Sequence, residues 1–311
     1  MAETAVLYQT FITTGLISMG TYHLISTVKN YLKSPSHYSA KPYHPFTSTS
    51  SYKKYIQLYL SLVFLFFSFL HQTLISSHTD LLLKGNTPVH KFISLQYAAV
   101  SVLFILLCLA ILLSETTLLL PFSNDLFFAL ASGVFFFQYY VSSSAAQFQI
   151  SDLQAHCDSV SAKISAVSSL LSFLLACFPK LFVADVLLCG SLILQGFWAM
   201  QTGLTLYVDA FVPQGCHKLL DVVTGVEGST RCDLDDSKFR AVAILDLMFL
   251  VHVFFVMIIV LLVYALVAKM LGVRSSRFGS YEALPTVIPA SASSITDSNH
   301  IQMKALTGTQ A

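Results

Sequence analysis

Charge is what this 311-residue chain lacks: Asp, Glu, Lys and Arg make up 11% of it, while 55% is hydrophobic. A water-soluble domain carries roughly 25% charged residues because its surface has to be solvated. A soluble globular domain is therefore excluded, and lipid is the fitting solvent. Charge of one sign is missing too. There are 17 basic and 16 acidic residues, a net of +1, and no basic stripe with interleaved aromatics, so no nucleic acid is expected as a partner. The six cysteines contain no Cys-x-x-Cys, which argues against a zinc ribbon or a thioredoxin-like pair. No His-x-x-His, His-x-x-x-His or His-Glu-x-x-His occurs, and no Asn-x-Ser/Thr sequon. No internal repeat is evident, which leaves an inverted-repeat transporter unsupported.

What is present is a series of apolar runs. A spanning helix needs about 20 mostly apolar residues, and runs of that kind lie at 5–26, 55–77, 92–114, 126–147, 155–178, 182–208 and 240–268. The first resembles a signal peptide in length. However, Glu3 precedes it, no basic residue does, and no small-residue cleavage site follows, so it reads as a retained helix. Pro121 and Pro179 fall in short connectors, where a helix stops anyway. The expected fold is an all-α polytopic bundle of about seven spans over 1–270, with the lipid bilayer as its partner.

Seven spans put the two chain ends on opposite sides. The first connection carries Lys29, Lys33, Lys41, Lys53 and Lys54 without an acidic residue, and the segment after the last span carries Lys269, Arg274 and Arg277. An excess of Lys and Arg marks the cytosolic side, giving N-outside, C-inside. The polar loop 209–239 is then outside, where Cys216 and Cys232 are expected to form a disulfide. The remaining cysteines within apolar runs, Cys108, Cys177 and Cys189, read as packing residues. Residues 271–311, rich in Ser, Thr, Ala and Pro, read as a disordered cytosolic tail. Within it, Tyr281-Glu282-Ala283-Leu284 fits a Tyr-x-x-apolar sorting signal, with Tyr281 and Leu284 as the residues a sorting adaptor would read. Plasma membrane or endomembrane is the expected location.

Polar groups inside apolar spans are costly, so each needs a partner or a purpose. Placed by depth, His71, His78, His90, His156 and His252, with Asp246, gather in the outer half of the bundle; Asp152, four residues before His156, is placed to orient its ring. On the inner side only His23 and Asp185 compare. Three readings of the outer layer stand open. Imidazoles with a carboxylate suit zinc or copper, with an open position permitting redox or other catalysis. Haem needs facing histidines, and a second haem on the inner side would lack a partner for His23. The third reading is interhelical hydrogen bonding that fixes packing. Transport of a small solute or ion would require an outer cavity joined to His23 and Asp185. Ser142, Ser143 and Ser144 would need an adjacent base to act as nucleophiles. Gly196 and Gly203, seven apart, suit close helix contact. No residue is marked as catalytic.

The stretch Gln195-Gly196-Phe197-Trp198-Ala199-Met200-Gln201-Thr202-Gly203-Leu204 resembles the sixth-helix signature of the transmembrane protein 45-like family. So do Gly20-Thr21-Tyr22-His23-Leu24, the basic loop ending in Tyr43-His44-Pro45-Phe46, and Asn86 to His90. Pro213-Gln214-Gly215-Cys216-His217 with Arg231-Cys232-Asp233 is similar to the plant branch. The resemblance spans about residues 5–270 and implies a seven-helix integral membrane protein of unknown activity. It also implies a histidine just after the fourth span, where this chain has Ser142 to Gln149 and none.

Overall fold

The computed structural model describes residues 2–45, 54–78, 89–117, 121–149, 151–221 and 226–273. Within them run seven long helices: α1 (Ala2–Lys33), α2 (Ile56–His78), α3 (Val89–Thr116), α4 (Asn124–Phe148), α5 (Asp152–Cys177), α6 (Phe182–Tyr207) and α7 (Asp235–Met270). Local signals set several ends. Ser123 and Ser151 cap α4 and α5 by accepting from the backbone of Leu126 and Gln154, each at 3.3 Å. Pro179 follows the C-cap Phe178 of α5, where it cannot extend a helix.

The distribution of side chains is inverted relative to a soluble protein. Phe66, Phe67, Phe136, Phe173, Leu250 and Phe254 face outward, whereas Thr27, Ser165, Ser168, Ser172, Asp185 and Ser191 are buried. Such an exterior is stable only against hydrocarbon. Six helices, α2 to α7, are long and apolar enough to cross a membrane. The first helix, with 32 residues, has the length but not the apolarity. It carries Thr10, Thr13, Thr14, His23, Thr27 and Asn30, and it offsets that polarity by lying along α6. Half of the apolar window of α6 and 44% of that of α5 are buried, against 11% for α2 and for α7, so α5 and α6 form the centre.

Small residues permit the close seams expected between membrane helices. A Cβ on Gly196 would meet Ile17 Cγ1 at 2.8 Å, and one on Gly203 would meet Gln9 Cβ at 2.8 Å. Across α5 and α6, Ser168 and Ser191 hydroxyls meet at 2.9 Å and Gln195 Nε2 donates to Ser161 Oγ at 2.6 Å. Trp198 is buried near the other end of α6, its indole N–H donating to the Cys157 carbonyl at 3.0 Å within a cluster that includes Leu153, Val160, Leu206 and Leu245.

The polar loop before α7 is not wholly irregular. It forms an antiparallel hairpin, β1 (Cys216–Asp221) with β2 (Val226–Cys232), Cys216 opposite Cys232 and a register shift between Lys218 and Leu220. No alternating apolar pattern announces these strands, and Gly228 interrupts the second. Cross-strand pairing and contacts with the bundle support them instead. The Thr230 hydroxyl donates to the Leu206 carbonyl at 3.1 Å, and Ser151 donates to the Thr230 carbonyl.

Candidate functional site

The polar groups that the fold draws together most closely lie at the end where α1 finishes and α6 begins. His23, Thr27 and Asn30 recur at helical spacing and share one face of α1. Asp185 lies in the first turn of α6, where the helix dipole favours a carboxylate, and Cys189 stands one turn further on. Asp185 is completely buried. Its Oδ2 accepts from the Tyr38 hydroxyl at 2.5 Å and from Thr27 Oγ1 at 3.2 Å. Its Oδ1 has no hydrogen-bond donor; His23 Nε2 stands 3.4 Å away. Buried carboxylates need such partners, because an unpaired one costs several kcal/mol, about the effective penalty per ion.

Tyr38 and His44 come from the connection between α1 and α2, and a set of backbone contacts holds that segment down. Ala40 N–H donates to the Pro179 carbonyl at 2.7 Å, and His44 N–H donates to Gln57 Oε1 at 3.1 Å. The Tyr22 hydroxyl donates to the His44 carbonyl at 2.9 Å. Tyr31 stacks on Phe182 at 3.9 Å, and Tyr38 meets Phe182 edge-on at 5.6 Å, closing the cluster with rings. Burial, then the charge of Asp185, holds the Tyr38 phenol protonated by pushing its pKa well up. Burial also pushes His44 down to about 3, helped by the neighbouring His23 and Lys41 and opposed by Asp185. His44 is therefore neutral. Asn30 Nδ2 lies 3.2 Å from its Nδ1 and Thr27 Oγ1 lies 3.4 Å from its Nε2. With Asn30 donating to Nδ1, the Nε2 proton points to Thr27, which itself donates to Asp185.

Among the described residues, one group of three offers nitrogen, oxygen and sulfur ligand atoms within 4.8 Å of one another: His23, Asp185 and Cys189. Of these, His23 and Asp185 stand out in the sequence as an isolated inner pair. Cys189 reads as packing, and Tyr38 and His44 sit in a polar loop where no depth can be assigned. The motif Tyr43-His44-Pro45-Phe46 was the available signal, and the fold brings its histidine to 4.7 Å, ring to ring, from that of Gly20-Thr21-Tyr22-His23-Leu24.

The outer histidines are arranged differently from the expected gathering. His71 on α2 stacks against Tyr8 of α1 at 3.6 Å, its Nδ1 buried without a hydrogen-bond partner. His156 on α5 pairs through Nε2 with Asp246 of α7 at 3.0 Å. His252, further along α7, stacks on Phe197 of α6 at 5.8 Å. Asp152 does not orient His156; it pairs with Lys238 at 3.0 Å. The described members of the expected set thus form no three-ligand group. They meet three different neighbours, and hydropathy along a span gives no direction around the helix axis. His78 closes α2 and His90 opens α3, and their side chains lie outside the described residues, as do Tyr281 and Leu284. Ser142 accepts from the Tyr97 hydroxyl at 3.3 Å. Asp158, which sequence reasoning passed over, is held by Gln149 Nε2 at 2.9 Å. Cys216 and Cys232 are joined as a disulfide across the hairpin.

Residues 124–265 match the family described as "Family of unknown function (DUF716)". The match takes in α4 to α6 and most of α7, so Asp185 and Cys189 lie inside it and His23, Tyr38 and His44 outside. No curated protein matches the chain significantly.

Proposed function

We propose that this chain is a multi-pass membrane protein of unknown molecular activity, of the transmembrane protein 45-like kind, plant branch, whose ordered centre is the Asp185 cluster. The observation that carries this reading is that a fully buried carboxylate ties three separate parts of the chain together: α1 through His23 and Thr27, the 34–45 segment through Tyr38, and α6, which bears it. The basic connection between α1 and α2 lies at this end, which is the cytosolic end under the positive-inside rule. The 209–239 loop with its disulfide then faces the outside, and residues 271–311 form a cytosolic tail open to sorting adaptors at Tyr281 and Leu284. The described outer histidines, His71, His156 and His252, serve packing, each against its own neighbour, consistent with the stacked pair Tyr8–His71.

The test is thermal unfolding of detergent-purified protein. Asp185→Asn is expected to lower the midpoint far more than His71→Ala or His156→Ala. Equal and small effects at all three positions would remove the reading. Protease or tag accessibility of both chain ends checks the orientation: both ends in one compartment would contradict it.

A further inference from the structure

We propose that His23 Nε2, Asp185 Oδ1 and Cys189 Sγ form a binding site for one zinc-class metal ion. The inference rests on the preceding reading only in that the Asp185 cluster is taken as a formed, ordered site.

The two oxygens of Asp185 are treated unequally. Oδ2 is fully served, by Tyr38 and Thr27. Oδ1 is buried and receives no hydrogen bond. A polar atom left in that condition inside a membrane bundle needs a partner of another kind. The one charged-type partner of Oδ1 is His23, whose Nε2 lies 3.4 Å away as an ion pair. That separation is also the edge of a tetrahedron around zinc, since Zn–N and Zn–O lengths of about 2.0–2.2 Å put adjacent ligand atoms about 3.4 Å apart. Cys189 Sγ completes a set lying within 4.8 Å. Bringing sulfur to a Zn–S distance of about 2.3 Å takes a side-chain adjustment of at most about 1 Å.

The donor chemistry selects the class of ion. Calcium and magnesium take all-oxygen cages. One imidazole, one carboxylate and one thiol form a mixed set that suits zinc. Electrostatics agrees. Binding releases the thiol proton to solvent, and a dication with one carboxylate and one thiolate sums to zero charge. Neutrality is what a site buried among membrane helices requires. The partners of the ligands are also in place: Tyr38 and Thr27 orient the carboxylate, and Asn30 fixes the His44 ring that leans on Thr27. Such supporting hydrogen bonds set ligand direction and basicity at metal sites. Three protein ligands leave a fourth position for water.

The experiment uses the full chain in detergent, stripped with chelator, then exposed to zinc or to cobalt(II) alone. Wild type is expected to hold about one zinc per chain after desalting. Its cobalt form should show tetrahedral d–d bands and a thiolate charge-transfer band. Cys189→Ser should lose the charge-transfer band and weaken zinc binding by at least about tenfold, with His23→Gln weakening it comparably. No zinc on wild type would overturn the proposal, and so would unchanged binding by the His23→Gln/Cys189→Ser double variant. Failure here is separable from failure of the preceding reading. An Asp185→Asn protein that unfolds early while wild type binds no metal keeps the tie and removes the ion.

Discussion

Of three histidine–aspartate pairs among the described residues, two sit at opposite ends of the bundle, and the shorter of these is the less consequential. His156 and Asp246 meet at 3.0 Å, but the Asp246 side chain is 61% exposed. His23 and Asp185 stand 3.4 Å apart, and the Asp185 side chain is 1% exposed. Asp246 has one partner and an open side, and an open pair contributes about 0–1 kcal/mol where water or headgroups reach it. At a buried carboxylate nothing replaces a lost partner, and breaking the set costs about 3–5 kcal/mol. Burial and the number of donors rank the two ends, and distance alone would rank them in reverse.

That ranking can be broken by substitution. The largest effect is expected for Tyr38→Phe combined with Thr27→Val, which strips both donors from Asp185 Oδ2 and should cost about 3–5 kcal/mol, read as loss of thermal stability. Next comes the hairpin end. Cys216 and Cys232 close a loop with a sequence separation of 16, and reduction, or Cys216→Ser with Cys232→Ser, should cost about 3 kcal/mol by loop entropy. Because the hairpin is an appendage, the loss should appear first as proteolysis within 209–239 and only weakly in the global midpoint.

Acid should act on the buried end through His44. Its folded pKa lies near 3, below the ordinary 6.5. Above pH 6.5 the ring is neutral in both folded and unfolded chains and stability does not depend on it. As pH falls from 6.5 toward 3, the unfolded chain takes a proton that the folded chain refuses, so stability drops, by an amount on the order of 2 kcal/mol at pH 5. In metal-free protein, His44→Asn should flatten that part of the decline; an equally steep profile in the variant would assign the loss to other groups. The smallest effect is expected for Asp246→Asn at the exposed pair, about 1 kcal/mol or less. A loss as large as that at Asp185 would erase the contrast between the ends.

The spans were the most legible feature, since a run of about 20 apolar residues has few other uses. Seven runs correspond to seven helices, and six of those helices are apolar enough to cross by composition. The first is carried by its partner: Gly20, Gly196 and Gly203 let α1 lie on α6, a relation visible in the spacing of the α6 glycines but not in hydropathy. The site was half legible. His23 and Asp185 could be placed at one depth from their positions in their spans. His44 and Tyr38 could not, because a residue in the polar connection 34–55 has no assigned depth until the segment folds back, here pinned by Ala40 on Pro179 and His44 on Gln57. In the outer layer the direction of each ring around its helix was not legible. Depth suggested a gathering, but His71, His156 and His252 leave their helices in different directions, toward α1, α7 and α6. The hairpin was hidden because its strands pair by local contacts and carry no alternating apolar face.

Asp185 and Tyr38 act together to hold the α1–α2 connection on α6. A double-mutant cycle in thermal or denaturant unfolding tests it directly, using Tyr38→Phe, Asp185→Asn and the pair. A coupling of about 1.5–3 kcal/mol is expected, the range for a hydrogen bond to a charged group. Additive losses, with coupling near zero, would contradict it.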